Sequence, residues 1–78
     1  MKVLDDGRFS VYVYREIEQP HHLPHCHVRW ADGETVVALP LLQVIVGDPL
    51  PTTARQLLLD ELEEVCAAWN EINIERTI

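Results

Sequence analysis

The chain has 78 residues, of which 13 are acidic and 6 basic, giving a formal charge of −7, with 47% apolar residues, two cysteines and four histidines. A chain of this size buries only about 60% of the surface that it exposes when unfolded, so its core is small and a protein partner or a homo-oligomer is expected. This composition excludes intrinsic disorder, no apolar run approaches the ~18 residues of a membrane span, and one small domain over residues 1–78 is the expectation. The opening Met1-Lys2-Val3-Leu4-Asp5-Asp6 has no apolar stretch followed by a small-residue cleavage site, which makes a cytoplasmic location with reduced thiols the expectation. Clustered Lys and Arg would be needed to grip phosphate backbones. Lys2, Arg8, Arg15, Arg29, Arg55 and Arg76 are instead scattered along the chain, which disfavours direct nucleic-acid binding.

In chain order, residues 8–14 alternate Phe9, Val11 and Val13 with Ser10, Tyr12 and Tyr14, the period of a half-buried strand. Residues 16–25 contain Pro20 and Pro24 and predict an extended connection, because proline cannot donate to a ladder. Residues 26–30 predict a second strand with Cys26, Val28 and Trp30 on one face and His27 and Arg29 on the other. Asp32-Gly33 predicts a tight hairpin turn, residues 34–39 a returning strand, and residues 41–46 a fourth, shorter one closed by Gly47-Asp48-Pro49. From Thr52 the period changes. Leu58, Leu62, Val65, Trp69 and Ile72 recur at helical spacing, with a start near residues 51–54, a Thr53/Gln56 capping box and a break near Leu59-Asp60. Asp60, Glu61, Glu63 and Glu64 take the solvent side, and a solvated helix face explains them better than a calcium site, which needs oxygen ligands alternating in a loop. The expected architecture is α+β: an antiparallel meander of three or four strands with a C-terminal helix, whole or broken in two, packed on one face.

All four histidines fall within residues 20–27, Pro-His-His-Leu-Pro-His-Cys-His. On an extended strand His25 and His27 point to one side, about 6–7 Å apart, and Cys26 to the other. Two imidazoles so placed supply half of a tetrahedral site for zinc or another divalent metal, with His21, His22 or a carboxylate as a third ligand. The same pair suits general acid–base catalysis near neutrality, with Glu16, Glu18 and Arg29 as candidate assistants. A third use is structural, with the imidazoles bonding the backbone where the proline-rich connection enters the sheet. Tyr12, Tyr14 and Trp30 could stack on a ligand, although sheet aromatics more often serve packing or interfaces. Cys26 and Cys66 read as small core residues.

The run Pro24-His25-Cys26-His27, preceded by a strand and followed by a hairpin, resembles the Pro-His-Phe-His signature of the small bacterial family called domain of unknown function 4160, and the late Trp69-Asn70 matches the tryptophan of its terminal helix. Cys26 stands where the family commonly has an aromatic residue. The resemblance implies a functional position for Pro24, His25 and His27. It also implies a genetic neighbour in pairs that resemble toxin–antitoxin modules. Two functions follow as expectations. One is an interaction component of such a two-protein module, with the histidine segment at the contact surface. The other is a small metal-dependent or acid–base hydrolase or nuclease acting through His25 and His27.

Overall fold

A computed structural model describes residues 1–15 and 23–78. Five strands form one sheet in the order β1-β2-β3-β4-β5, every neighbouring pair antiparallel: β1 Lys2–Asp5, β2 Ser10–Tyr12, β3 His25–Trp30, β4 Gly33–Ala38 and β5 Val44–Gly47. Two helices follow, α1 Thr52–Asp60 and α2 Leu62–Ile72, and a 3₁₀ turn at Ile74–Arg76. The α+β meander is as expected, but the strand count is five rather than three or four.

The additional strand is β1, which the sequence conceals because within Lys2–Asp5 only the adjacent Val3 and Leu4 are apolar, with no alternation. The hairpin between β1 and β2 is built by two aspartates. Asp5 Oδ1 accepts from the Gly7 amide at 2.9 Å, and Asp6 Oδ1 accepts from the amides of Arg8 and Phe9 at 2.9 and 2.8 Å. Gly7 takes φ +90, a left-handed conformation that glycine adopts without a Cβ penalty. These amides hold both carboxyls below their usual range. Beyond β2 the pairing continues, since the Val13 amide donates to the Met1 carbonyl at 2.9 Å.

The β3–β4 register pairs Trp30 with Gly33, so the two-residue connection is Ala31-Asp32 and the turn lies one residue earlier than Asp32-Gly33. Gly33 is fixed by its neighbour: the Trp30 indole occupies the space that a Cβ would take. The Pro24 carbonyl extends this ladder by accepting from the Leu39 amide at 2.8 Å, and the Leu39–Pro40 peptide is cis. Gly47, at φ +107, approaches the backbone of β4 so closely that a Cβ would stand 2.6 Å from the Glu34 carbonyl oxygen.

Strand alternation sorts the sheet into two faces. Val11, Val28, Thr35, Val37 and Cys26 are fully buried and share one face through the partners Val11–Val28, Val28–Thr35 and Cys26–Val37. Against them pack Ala54 and Leu58 of α1 and Val65, Ala68 and Trp69 of α2; of the stripe expected from the sequence, Leu58, Val65 and Trp69 are buried and Leu62 and Ile72 are partly buried beside them. The helix breaks at Glu61, whose φ −114 and ψ 23 leave the helical region, one residue beyond the expected Leu59-Asp60. The Thr53/Gln56 capping box does not form. Pro51 is the N-cap of α1, without a side-chain cap, and the Gln56 amide instead donates to Asp60 Oδ1 at 2.8 Å.

Candidate functional site

The second face carries the residues that alternate with the core. The ladder sets Tyr12 beside His27 and His27 beside Val36, and in the next row Ser10 beside Arg29 and Arg29 beside Glu34. This outer face is therefore aromatic and ionisable along β2, β3 and β4. Tyr12 and Tyr14 lie parallel with ring centroids 6.1 Å apart, and the Arg29 guanidinium stands 5.1 Å over the Tyr12 ring. Trp30 is not part of it. Its position puts it on the core side, where its ring meets Phe9 edge-on at 5.9 Å.

His25 and His27 come together on one side of β3, with ring centroids 5.5 Å apart, as the strand geometry requires. Their surroundings differ. His25 is buried, 4% exposed, with Nδ1 bonded to the Leu23 carbonyl at 2.8 Å and its ring 5.3 Å from that of Trp69. The C-terminal segment holds this corner closed. Trp69 Nε1 donates to the Arg76 carbonyl at 2.7 Å, the Asn73 amide group donates to the Tyr14 carbonyl at 3.1 Å, and Arg15 meets Glu75 at 3.5 Å. His27 is half-buried, with its side chain 22% exposed. Tyr14 approaches its ring edge-on at 4.9 Å, and Glu34 Oε1 stands 3.9 Å from its Nδ1. The same oxygen accepts from Arg29 Nε at 3.1 Å, and this bond raises the Arg29 pKa.

Cys26 lies on the opposite face, fully buried, where loss of solvation pushes its thiol up to about 12. It cannot join the imidazoles as a ligand. Cys66, half-buried on α2, is also a free thiol raised by burial. Among the described residues no group of three or more His, Cys, Asp and Glu is placed to hold a metal ion. His21 and His22, the candidate third ligands, and Glu16 and Glu18, the candidate assistants, lie outside the described residues. The Leu23 carbonyl engages His25 Nδ1, so a metal held by His25 and His27 would take His25 through Nε2, and Glu34 as a further ligand would be shared with Arg29.

Two members of the cluster are absent from the sequence-based candidates. Glu34 is legible once the hairpin register is set, because it pairs with Arg29 and so lies diagonal to His27 across the ladder. Trp69 as the partner of His25 has no local signal, since 44 positions of chain separate them.

No helix among the described residues is long and apolar enough to cross a membrane. No curated protein and no solved structure matches the chain. The family model called Domain of unknown function (DUF4160) matches residues 9–70, the span from Phe9 at the entry to β2 through Asn70 of α2 and including the Pro24-His25-Cys26-His27 motif, and the chain belongs to that family.

Proposed function

We propose that this protein is a cytoplasmic interaction component of a two-protein module resembling a toxin–antitoxin pair, and that it engages its partner through the outer face of the sheet. The observation that carries the reading is the contiguous Tyr12, Tyr14, His27 and Arg29 surface, in which ladder pairing anchors Tyr12, His27 and Arg29 and ring contacts to Tyr12 and His27 hold Tyr14. Tyrosine and arginine are the residue types that dominate binding energy in protein interfaces, since they bring large area at low conformational cost. The chain's charge of −7 favours a partner with a basic surface. The experiment is co-expression with the product of the adjoining gene and co-purification. Arg29→Ala and Tyr12→Ala are each expected to weaken the complex by about 2 kcal/mol, roughly 30-fold, whereas Leu59→Ala on α1 leaves it unchanged.

The approach of Glu34 to His27 supports a second reading, a hydrolase or nuclease in which His27 takes the proton and Glu34 orients the imidazole. His25, packed under Trp69 and bonded to the Leu23 carbonyl, is then a positioning residue for its neighbour. In the metal-dependent form of this reading the same imidazole pair holds zinc. Elemental analysis of untagged protein and zinc titration of the wild type and of His25→Ala with His27→Ala test that form. Stoichiometric metal that disappears in the double variant favours the enzyme, and the absence of metal from the wild type removes that form.

A further inference from the structure

One residue of the docking surface stands past the end of the ladder. β2 ends at Tyr12, and the last antiparallel exchange beyond it is at Val13, whose amide donates to the Met1 carbonyl at 2.9 Å and whose carbonyl accepts from the Met1 amine at 2.8 Å. Tyr14 follows that exchange and belongs to no strand. Its backbone is held from the far end of the chain, where the Asn73 side-chain amide donates to the Tyr14 carbonyl at 3.1 Å across 59 positions of sequence. The next residue repeats the tie, since Arg15 meets Glu75 at 3.5 Å. Asn73 is itself fixed on two sides. It is 2% exposed and caps α2 through its backbone amide, which donates to the Trp69 carbonyl at 2.8 Å. Its carbonyl accepts from the Arg76 amide at 2.9 Å, and the Arg76 carbonyl accepts from Trp69 Nε1 at 2.7 Å, so both routes return to the fully buried Trp69.

We propose that Asn73 is a positioning residue for partner docking. It clamps the Tyr14 backbone to the C-terminal segment and so fixes the Tyr14 ring in the outer face, parallel to Tyr12 at 6.1 Å and edge-on to His27 at 4.9 Å. The role rests on the docking reading above. Its physical basis is the cost of ordering. A tyrosine already held in its bound orientation brings its contact area without losing further freedom on association, whereas a Tyr14 whose backbone moves must be ordered by the partner. A buried amide that loses its acceptor is costly, so the bond from Asn73 favours the fixed arrangement. The clamp acts on Tyr14 alone among the four residues of the surface, because Tyr12, His27 and Arg29 are set by their cross-strand partners.

The first test needs no partner. Nuclear Overhauser contacts between the Tyr14 and His27 rings are expected in the wild type and expected to vanish in Asn73→Ala, while those between Phe9 and Trp30, 5.9 Å apart on the core side, persist. The second is a double-mutant cycle on affinity for the product of the adjoining gene, read by titration calorimetry. Asn73→Ala is expected to weaken binding about tenfold in the wild type and less than about twofold in Tyr14→Ala, where the clamp has no ring left to position. In Arg29→Ala the same substitution keeps its full effect, because the ladder and Glu34 hold Arg29 independently. Glu75→Lys sets a like charge against Arg15 at a pair that is more than half exposed, leaves the core intact, and is expected to give the same pattern at about threefold. A Tyr14–His27 contact that survives Asn73→Ala in a folded chain overturns the proposal. So does a loss of affinity of the same size with and without the Tyr14 ring, which marks a purely structural residue. If Asn73→Ala does not fold, Glu75→Lys decides through the same cycle, and an equal loss in both backgrounds, or none in either, overturns the clamp. A folded wild type that binds nothing overturns the docking reading and with it the role given to Asn73. Binding that Arg29→Ala weakens and Asn73→Ala does not overturns the role of Asn73 alone.

Discussion

Glu34 lies directly across the β3–β4 hairpin from Arg29 and accepts from its Nε at 3.1 Å, while the same carboxylate oxygen stands 3.9 Å from His27 Nδ1. One acidic side chain thus sets the positions of two cationic or potentially cationic ones on the outer face. Both members of the Arg29 pair are half exposed, so water and salt screen the attraction. Glu34→Gln is expected to change unfolding free energy in urea by less than about 1 kcal/mol. Its effect on partner binding is larger, because the substitution releases Arg29 from its fixed orientation.

The two histidines separate by stability. His25→Ala removes a buried ring against Trp69 and leaves the Leu23 carbonyl without its donor, a loss expected to reach about 2–4 kcal/mol. His27→Ala, on the half-buried face, is expected to cost about 1 kcal/mol or less. Urea unfolding monitored by tryptophan fluorescence measures both. Equal losses for the two variants would contradict the different packing described for them.

Trp69 joins the core to the C-terminal turn through its bond to the Arg76 carbonyl. Trp69→Phe keeps most of the buried ring and removes the donor, with an expected loss of about 1–3 kcal/mol, whereas Trp69→Ala costs about 3–5 kcal/mol. Thermal melts followed by circular dichroism read the order of the two variants.

Much of this organisation is legible in the sequence, and the gaps have physical causes. The stripe Leu58, Leu62, Val65 and Trp69 specifies the helical layer, because a helix of this length hides its apolar side chains only along one row. The alternation in β2 and β3 likewise separates His27 and Arg29 from Cys26 and Val28. Strand β1 is hidden because its ends are polar and only Val3 and Leu4 mark it, while the aspartates that make its turn read as ordinary surface charge. His25 illustrates the limit of local pattern. Strand alternation correctly gives its side, but its burial comes from α2 and the turn beyond it, which no spacing around residue 25 encodes.

The β1–β2 turn predicts a pH dependence. The Asp5 and Asp6 carboxyls are held below their ordinary 3.8 chiefly by the amides of Gly7 and Phe9 respectively. A depressed folded pKa contributes stability that is present above the unfolded value and is lost as pH falls through the folded one. Stability therefore declines from about pH 4 downward. Asp6→Ala is expected to lower stability at pH 7 and to shrink the difference between pH 7 and pH 3 in urea titrations.

Burial of the Cys26 thiol acts at the other end of the scale. A raised folded pKa leaves stability intact below the unfolded value of 9.0 and removes it as pH climbs toward about 12. Native protein treated with a chromogenic disulfide reagent at pH 8 is expected to release the signal of Cys66 alone, slowly, and that of both thiols in urea. Two fast-reacting thiols in the native state would contradict the assignment of Cys26 to the core face.

The most direct measurement of the docking claim is the affinity of the purified chain for the product of its adjoining gene, by titration calorimetry, for wild type, Arg29→Ala and Tyr12→Ala. Saturable binding weakened roughly 30-fold by each substitution is the predicted result. No binding by the folded wild type, or binding that neither substitution alters, would contradict it.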